Sequence, residues 1–233
     1  IGTTGAGPKG IYAIDVTGSG ATPLWDIDGA DAATAPASEN LRDIGHILQP
    51  GVIGRAPDGQ WYYFVGNGYE SLDDKAKLLA INIANGNVRV IDTDALGDAT
   101  PGGTNGLGGV TPVYDGARNI VQIYAGDRQG RLWKFNLTTW TSARLFTATS
   151  GAGAVQPISA APRVLPHPAG GRMIVFGTGR AHERSDINDT NMQSVYGIWE
   201  KDPSAATVTP VAKSALQQLT LSERVAAGTR FRE

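Results

Sequence analysis

Residues 178–193 bring arginine, histidine, carboxylate and amide side chains together in one connection between predicted strands. Guanidinium groups with nearby carboxylates are typical of protein-recognition surfaces, because the planar arginine side chain makes paired hydrogen bonds. A cation site is the competing interpretation, but the segment lacks the turn glycine and the bidentate glutamate of an EF-hand calcium loop. A second competing interpretation is a solvated loop, in which each exposed ion pair contributes about 0–1 kcal/mol to stability. The residues predicted to bind a partner are Arg180, His182, Glu183, Arg184, Asp186 and Asp189.

A second polar connection, residues 67–76, contains Glu70, Asp73 and Asp74. Paired carboxylates perform acid–base chemistry when they lie close together in a partly desolvated site. In a long polar connection we expect them to be exposed to solvent instead. We therefore predict no catalytic role for these three side chains.

The remaining candidates for catalysis or metal binding are few. The three histidines, His46, His167 and His182, lie in three different connections and lack metal-ligand spacing. The chain contains no G-x-S-x-G, H-E-x-x-H or P-loop motif. It also contains no cysteine, which excludes disulfides, Cys-ligated zinc and thiol catalysis. The sequence thus predicts a protein that is not an enzyme and has no catalytic, metal or cofactor-binding residues.

Composition excludes further classes of function. The formal net charge is −2 with 18% charged residues among 233, so no basic field is available for nucleic acid or an anionic membrane. No apolar run approaches the roughly 20 residues that span a bilayer. The chain begins inside a repeated unit, which predicts a fragment of a longer protein.

The strands that would position these candidate residues are indicated by a repeat. In each copy an apolar strand ends at a glycine and a second strand follows. The three glycines are Gly66, Gly126 and Gly177, which lie 60 and 51 residues apart. A unit of several strands recurring at roughly this spacing is typical of a β-propeller blade. We therefore predict an all-β fold of four-stranded antiparallel blades, forming one propeller domain or propeller fragment over residues 1–233.

Each blade is predicted to contain strands A to D in chain order. The second blade comprises residues 51–56, 61–66, 78–84 and 88–91. The third comprises residues 109–114, 120–126, 131–137 and 144–148. The fourth comprises residues 161–165, 173–177, 194–200 and 207–212. The first shows only two strands, residues 10–16 and 24–27.

This pattern amounts to about three and a half blades, whereas propellers close with about four to eight. Two further strands are predicted at residues 218–225 and 228–233, which would either start another blade or complete the first. Alternation within strand C predicts that Trp133 and Phe135, and Trp199 in the fourth blade, pack between blades.

Connection lengths distinguish the two rims of the predicted propeller. The A–B and C–D connections are short and several contain Asp-Gly or Asn-Gly, which favour tight hairpins. The opposite rim carries the D–A and B–C connections, which are long. They include residues 28–49, 67–76, 94–108 and 178–193. Because long loops in compact domains are usually functional, we predict that this long-loop rim is the binding surface.

Several motifs carry a family resemblance in addition. They are GPKGIYAIDVT (residues 7–17), VGNGY (65–69), YAGDRQGRLWKFNL (124–137), QPISAAPRV (156–164), FGTGR (176–180) and QSVYGIWE (193–200). In this order they resemble the C-terminal propeller of the PilY/PilC family of type IV pilus biogenesis and tip-adhesin proteins. The resemblance implies a location at the cell surface, at the pilus tip or associated with the outer membrane. It also implies a role in pilus assembly, retraction control and surface attachment, with pilus components or a surface receptor as protein partners.

Members of that family often carry a calcium loop just before the YAGD strand. Here the equivalent segment, residues 113–121, offers only Asp115 and Asn119 as ligands, and Arg118 adds a positive charge. Calcium needs several oxygen ligands, so one carboxylate is too few. We predict a plain hairpin turn without calcium.

Two other functions compete with this interpretation. The segment AIDVTGSGATPLW, residues 13–25, resembles the tryptophan-docking repeat of quinoprotein dehydrogenase propellers. Packing of Trp25 between blades explains it without a quinone cofactor, and a quinone absorbance band would identify the enzyme. A calcium-gated structural module is the second competitor, which calcium titration would identify. We predict a non-enzymatic module of a type IV pilus-associated protein that recognises partners through its loops.

Overall fold

The computed structural model of the chain describes residues 1–29, 42–93, 105–182, 184–205, 207–219, 223–226 and 229–232. Within these ranges the chain forms sixteen β-strands and two short 3₁₀ helices. All paired strands are antiparallel. The prediction of an all-β fold is confirmed.

The strands form four blades and a separate hairpin. Blade 1 comprises β1 (Gly2–Thr3), β2 (Gly10–Asp15) and β3 (Thr22–Asp28). Blade 2 comprises β4 (Val52–Arg55), β5 (Trp61–Gly66), β6 (Lys77–Asn82) and β7 (Val88–Asp92). Blade 3 comprises β8 (Leu107–Tyr114), β9 (Ile120–Asp127), β10 (Arg131–Asn136) and β11 (Thr141–Thr147). Blade 4 comprises β12 (Arg163–Pro166), β13 (Arg172–Gly177) and β14 (Val195–Glu200). The hairpin comprises β15 (Glu223–Ala226) and β16 (Thr229–Arg232).

Within each blade the strands pair in chain order, as the repeat predicts. Short polar turns join the strands of the hairpins. In the Asn-Gly turn of blade 2, Gly86 has a φ of 73°. β1 pairs with β2 and was not predicted, because two residues are too short to show alternation.

The prediction of an outer strand in blade 4 was wrong. Residues 207–212 form no strand, and this segment packs against the blade 3–blade 4 core through Val208 and Val211. The Val211 N–H donates to the carbonyl of Leu145 in β11 at 2.7 Å. Pro210 lacks the N–H that a ladder strand would need, which weakens strand pairing there. At the C-terminus, β15 and β16 pair with each other in a two-stranded sheet of their own.

Among the described residues the apolar core forms three clusters, each of which lies between successive blades. Trp133 and Phe135 of β10 are buried in the core shared by blades 2 and 3, as predicted. Trp25 packs against the core shared by blades 1 and 2, and its indole N–H donates to the carbonyl of Ile83 at 2.9 Å. Packing between blades therefore accounts for Trp25.

Trp199 of blade 4 lies outside the core shared by blades 3 and 4, so the prediction that it packs between blades was wrong there. Gly126 of β9 pairs with Leu132, and the equivalent Gly177 of β13 pairs with Val195. In this register Tyr196 is equivalent to Trp133, and Trp199 lies on the opposite face of β14. Side chains alternate along a strand, so a one-residue difference in register exchanges the faces. Trp199 instead stacks on His167, with ring centroids 4.1 Å apart.

In each of blades 2, 3 and 4, a polar side chain at the end of strand B accepts an N–H at the start of strand C. Asn67 Oδ1 accepts from Lys77 N at 3.0 Å. Asp127 Oδ1 accepts from Arg131 N at 2.8 Å. Thr178 Oγ1 accepts from Ser194 N at 2.8 Å. Each bond satisfies a donor that leaves the sheet at the blade rim.

Asp127 is the most demanding of these acceptors because its side chain is fully buried. Its Oδ2 also accepts from the indole N–H of Trp133 at 2.8 Å and from Asn105 Nδ2 at 3.1 Å. Burial raises the pKa of Asp127, and these donors oppose that rise by stabilising the carboxylate. The D and W of the motif YAGDRQGRLW are thus joined by a hydrogen bond inside blade 3.

A buried ionic cluster joins blades 3 and 4 near the short-loop rim. Lys134 Nζ lies 2.6 Å from Glu200 Oε1, and both side chains are buried. Tyr124 donates its hydroxyl to Glu200 Oε2 at 2.5 Å, and Arg172 donates to the Tyr124 hydroxyl at 2.8 Å. Burial and the neighbouring Glu200 raise the pKa of Tyr124, so the phenol remains a donor. Lys134 also donates to the carbonyl of Pro203 at 2.6 Å, which ties in the last turn of blade 4.

Removing both charges of the Lys134–Glu200 pair should cost clearly less than the sum of the two single removals. Lys134→Met and Glu200→Met should each lower the free energy of unfolding by about 3–5 kcal/mol, because a buried charge loses its partner. The double variant should lose clearly less than the sum of the two losses. Urea denaturation of the four proteins measures the coupling, and strictly additive losses would contradict it.

Replacement of Asp127 tests the acceptor behind strand B. Asp127→Ala should lower the free energy of unfolding by about 3 kcal/mol or more, since three donors lose a buried acceptor at about 1–3 kcal/mol each. The matched control is Asp115→Ala, which removes a carboxylate that caps an exposed turn. Chemical denaturation should show a clearly smaller loss for the control, and equal losses would show that burial is not the reason.

Candidate partner-binding rim

The long-loop rim is uneven among the described blades because the B–C connections differ in length. β5 and β6 are joined by residues 67–76, and β13 and β14 by residues 178–194. In blade 3 the same connection is the turn of residues 128–130. Two long loops therefore flank one short turn. Parts of two other predicted rim loops, residues 30–41 and 94–104, lie outside the described residues, as does Glu183.

Loop 178–193 is organised around the carboxylate of Asp186, whose side chain is almost completely buried. Arg180 Nε lies 2.8 Å from Asp186 Oδ1. The backbone N–H of His182 donates to Asp186 Oδ2 at 2.9 Å. Residues Arg184–Asn188 form a short 3₁₀ helix that contains this carboxylate. Arg180, His182 and Asp186 thus form the internal frame of the loop.

The base of the same loop is closed by hydrogen bonds between its two ends and by Gln156 of the connection that precedes blade 4. Thr178 N donates to the carbonyl of Ser194 at 2.9 Å, in addition to the side-chain bond between these two residues. Gln156 Nε2 donates to the carbonyl of Met192 at 2.7 Å and to Ser194 Oγ at 2.9 Å. The loop therefore has a fixed base and an internal frame, so its surface groups keep defined positions.

Two of the predicted residues point outward from this frame, since Arg184 and Asp189 are exposed. Two apolar residues that the sequence analysis missed lie beside them, Ile187 at 82% and Met192 at 80% exposure. Apolar residues within a polar loop give no periodic signal, so only their exposure in the folded chain identifies them. Among its described residues, the loop thus presents the Arg184 guanidinium, the Asp189 carboxylate and these two apolar side chains to solvent.

The carboxylates of loop 67–76 do not form an acid–base pair. Glu70 and Asp74 are exposed, as predicted, whereas Asp73 is half-buried. Asp73 Oδ1 lies 3.1 Å from Arg42 Nη2, and its Oδ2 lies 3.4 Å from Lys77 Nζ. Burial alone would raise the pKa of Asp73, but these two cations outweigh it and lower that pKa. Asp73 is therefore an ionised structural anchor of the loop.

Lys77 also forms a buried ion pair with Asp43, which precedes blade 2. Burial raises the pKa of Asp43, and the Lys77 ammonium opposes the rise. The side chain of Asn67 donates to the carbonyls of Asp43 and Lys75 at 2.9 and 2.8 Å. Loop 67–76 and the segment before strand A of blade 2 are thus joined into one unit.

The three histidines occupy three separate environments. His46 Nε2 lies 3.7 Å from Glu70 Oε2, and His167 stacks on Trp199. His182 stacks on Tyr69, with ring centroids 4.3 Å apart. Within the described ranges no three His, Cys, Asp or Glu side chains are grouped so as to hold a metal ion.

The turn at Asp115 is closed by the carboxylate itself. Asp115 Oδ1 accepts from the N–H groups of Ala117 and Asn119 at 2.9 and 2.8 Å, and Oδ2 accepts from Asn119 Nδ2 at 2.9 Å. These donors lower the pKa of Asp115. Both carboxylate oxygens already accept hydrogen bonds within the turn.

Comparison with known proteins gives the family. A family model described as the PilY1 beta-propeller domain matches residues 1–143 and 138–231. A type IV pilus biogenesis factor PilY1 homolog of Xylella fastidiosa is 37% identical over an alignment of 203 positions, which covers 85% of this chain and 15% of that protein. The type IV pilus biogenesis factor PilY1 of Pseudomonas aeruginosa is 32% identical over an alignment of 255 positions, which covers 95% of this chain and 21% of that protein.

The solved structures support the same conclusion. The crystal structure of the Pseudomonas aeruginosa PilY1 C-terminal domain superposes with a TM-score of 0.79 at 28% identity. The match covers 97% of this chain and 51% of that domain, so the chain spans about half of the solved structure. Among the described residues, no helix has the length and apolar character needed to cross a membrane. The blades, the family model and this superposition agree, and the chain belongs to the PilY1 β-propeller domain family.

Proposed function

We propose that this chain is the propeller part of a type IV pilus biogenesis protein and binds protein partners through its long-loop rim. The observation that carries the proposal is the match to PilY1 proteins along nearly the whole chain. Loop 178–193 supplies a suitable contact surface, because a fixed frame presents exposed Arg184, Ile187 and Met192. Arginine and methionine are enriched at protein interfaces, and a pre-ordered loop loses little entropy on binding.

The proposed location is the cell surface, at the pilus tip or associated with the outer membrane. The proposed roles are pilus assembly, retraction control and surface attachment. The name type IV pilus biogenesis factor, which the related proteins carry, supports the role in pilus assembly. Retraction control and surface attachment rest on the motif resemblance alone. Pilus components and a surface receptor are the partners this proposal implies.

We further propose that the module catalyses no reaction and needs no cofactor. Two carboxylates of the rim are engaged in ion pairs: Asp73 with Arg42 and Lys77, and Asp186 with Arg180. Such groups stabilise loops, whereas acid–base catalysis needs a carboxylate or imidazole that faces bound substrate. The Trp25 contact in the core of blades 1 and 2 supports a packing role for the segment that resembles quinoprotein repeats.

The chain is proposed to form part of a larger ring. On strand C of blades 2, 3 and 4, the two side chains that face the preceding blade are buried, for example Trp133 and Phe135. Their equivalents in blade 1, Tyr12 and Ile14, are 40% and 41% exposed. A face with the pattern of a blade interface supports packing against a further blade, and the chain covers only 51% of the related solved domain.

Replacement of the outward groups should weaken partner binding without unfolding the protein. Arg184→Ala combined with Ile187→Ser should reduce binding to purified type IV pili about tenfold, the loss typical of interface hot spots. The melting temperature should stay nearly constant, because these side chains are exposed. Co-sedimentation with pili measures binding, and attachment of cells carrying the variant provides a second measurement.

Two controls accompany this test. Arg118→Ala removes an exposed arginine from the opposite rim and should leave binding unchanged. Arg180→Ala removes a frame residue and should loosen the loop as well as weaken binding. Wild-type binding by the Arg184→Ala/Ile187→Ser protein would place the recognition surface elsewhere.

The turn at Asp115 is expected to bind no calcium at about 10⁻⁴–10⁻³ M, the range of extracellular calcium modules. Binding would require the carboxylate to release the N–H donors of Ala117 and Asn119 and to approach the cationic Arg118. Thermal melts with calcium and with chelator should give no difference that depends on Asp115. A calcium-dependent rise in melting temperature that is lost in Asp115→Ala would refute this expectation.

A further inference from the structure

The two long B–C loops of the rim meet above blade 3, although their blades are not neighbours. The short turn of residues 128–130 leaves the space between loops 67–76 and 178–193 open. Tyr69 of the first loop and His182 of the second fill it, with ring centroids 4.3 Å apart and planes inclined by 30°. Aromatic rings at this separation attract each other beyond their burial of apolar area.

Tyr69 is held rigidly on its side of the contact. Its backbone pairs with His46, since His46 N donates to the Tyr69 carbonyl at 2.7 Å and Tyr69 N donates to the His46 carbonyl at 3.1 Å. A Cβ atom at Gly106 would lie 3.0 Å from Tyr69 Cδ1, so this glycine allows the ring to lie against the start of blade 3. The side chain is only 4% exposed. Tyr69 therefore presents a fixed ring face to the neighbouring loop.

Two charged residues at the turn of blade 3, Asp127 and Arg128, act on the Tyr69 phenol. Burial raises its pKa to about 12, with Asp127 adding to the rise and Arg128 opposing it. The hydroxyl is buried and has no hydrogen-bond partner among the described residues. Contact with His182 therefore depends on the ring, and the hydroxyl adds no bond to it.

His182 is equally well positioned on its side. Its backbone N–H is bound by Asp186, the carboxylate that also pairs with Arg180. The ring of His182 is thus attached directly to the frame from which Arg184 and Ile187 project. The contact with Tyr69 therefore gives this frame an attachment to another loop.

We propose that Tyr69 and His182 form a clasp that positions loop 178–193 across blade 3, so that the two long loops act as one composite surface. Tyr69 is the positioning residue of this clasp. The inference rests on the proposed function, because it gives the binding rim an internal support that comes from another blade. It also predicts that a change in blade 2 alters binding at residues contributed by blade 4.

Amide hydrogen exchange of the folded protein tests the clasp without any partner. Tyr69→Leu removes the aromatic ring and should raise exchange in residues 178–193 about two- to tenfold, the range expected for loss of one aromatic pair. Tyr69→Phe keeps the ring and removes only the unpaired hydroxyl, so exchange should remain as in the wild type. Exchange in strands β9 and β10 should be unchanged in both proteins, which separates loop release from general destabilisation.

Variants on the other side of the contact keep the test decisive if Tyr69→Leu does not fold. His182→Ala should raise exchange in the same residues to the same extent, and His182→Phe should restore the wild-type rate. Adding Tyr69→Leu to His182→Ala should cause little further increase, because the pair can be broken only once. Unchanged exchange in folded Tyr69→Leu or His182→Ala protein, or equally fast exchange in Tyr69→Phe, would overturn the clasp.

Pili co-sedimentation of the same variants separates this inference from the proposed function. Loosened exchange together with weaker pili binding in Tyr69→Leu, and neither effect in Tyr69→Phe, is the expected result. Unchanged exchange would reject the clasp, whatever the outcome for Arg184 and Ile187. Loosened exchange with normal pili binding would support the clasp and reject the rim as the pilus-binding surface.

Discussion

Each blade of this protein buries its faces only against neighbouring blades, so the chain must pass from strand B to strand C at the edge of a crowded interior. At that point the first N–H of strand C needs an acceptor, and an unpaired buried donor would cost about 1–3 kcal/mol. Asn67, Asp127 and Thr178 provide this acceptor in blades 2, 3 and 4. In blades 2 and 3 the glycine before this acceptor allows a close approach: a Cβ at Gly66 would lie 2.2 Å from the carbonyl oxygen of Gly108, and one at Gly126 would lie 2.1 Å from Ile158 Cγ2. The acceptor that follows the glycine is the feature shared by all three blades.

Because of this arrangement, the B–C loop can vary in length without changing the stability of the blade. The acceptor and its donor are 10 residues apart in blade 2, 4 in blade 3 and 16 in blade 4, yet the three hydrogen bonds are alike. Since the same hydrogen bond closes the base of each B–C loop, residues inserted beyond that base do not disturb the strands. Long loops can therefore change in sequence while the scaffold stays constant, which is the usual basis of binding surfaces on rigid frameworks. Tyr69 and His182 meet above the shortest of the three B–C connections, the turn of blade 3.

Ionisable residues serve two different purposes in the molecule, and their burial separates them. Lys134 with Glu200, and Lys77 with Asp43, are buried pairs that join segments of the scaffold. Buried pairs contribute little net stability compared with apolar packing, but they penalise any arrangement that separates the charges. They therefore favour one register between blades. Arg184 and Asp189 are exposed instead and remain available for intermolecular contacts.

The strands and the blade repeat could be predicted from the sequence, because alternation and glycine turns are local properties of the chain. The interface positions of Trp133 and Phe135 followed from the same alternation. Trp199 was misplaced because a face depends on register, and register is set by pairing with β13. Residues 207–212 were misassigned because contact with blade 3 decides their conformation. For the candidate site, the sequence indicated the loop and its charged residues, but it could not separate Arg180 and Asp186, which pair inside the loop, from Arg184, which is exposed. That separation, and the contact between Tyr69 and His182 across a whole blade, depend on distances between residues far apart in the chain, which only the tertiary structure determines.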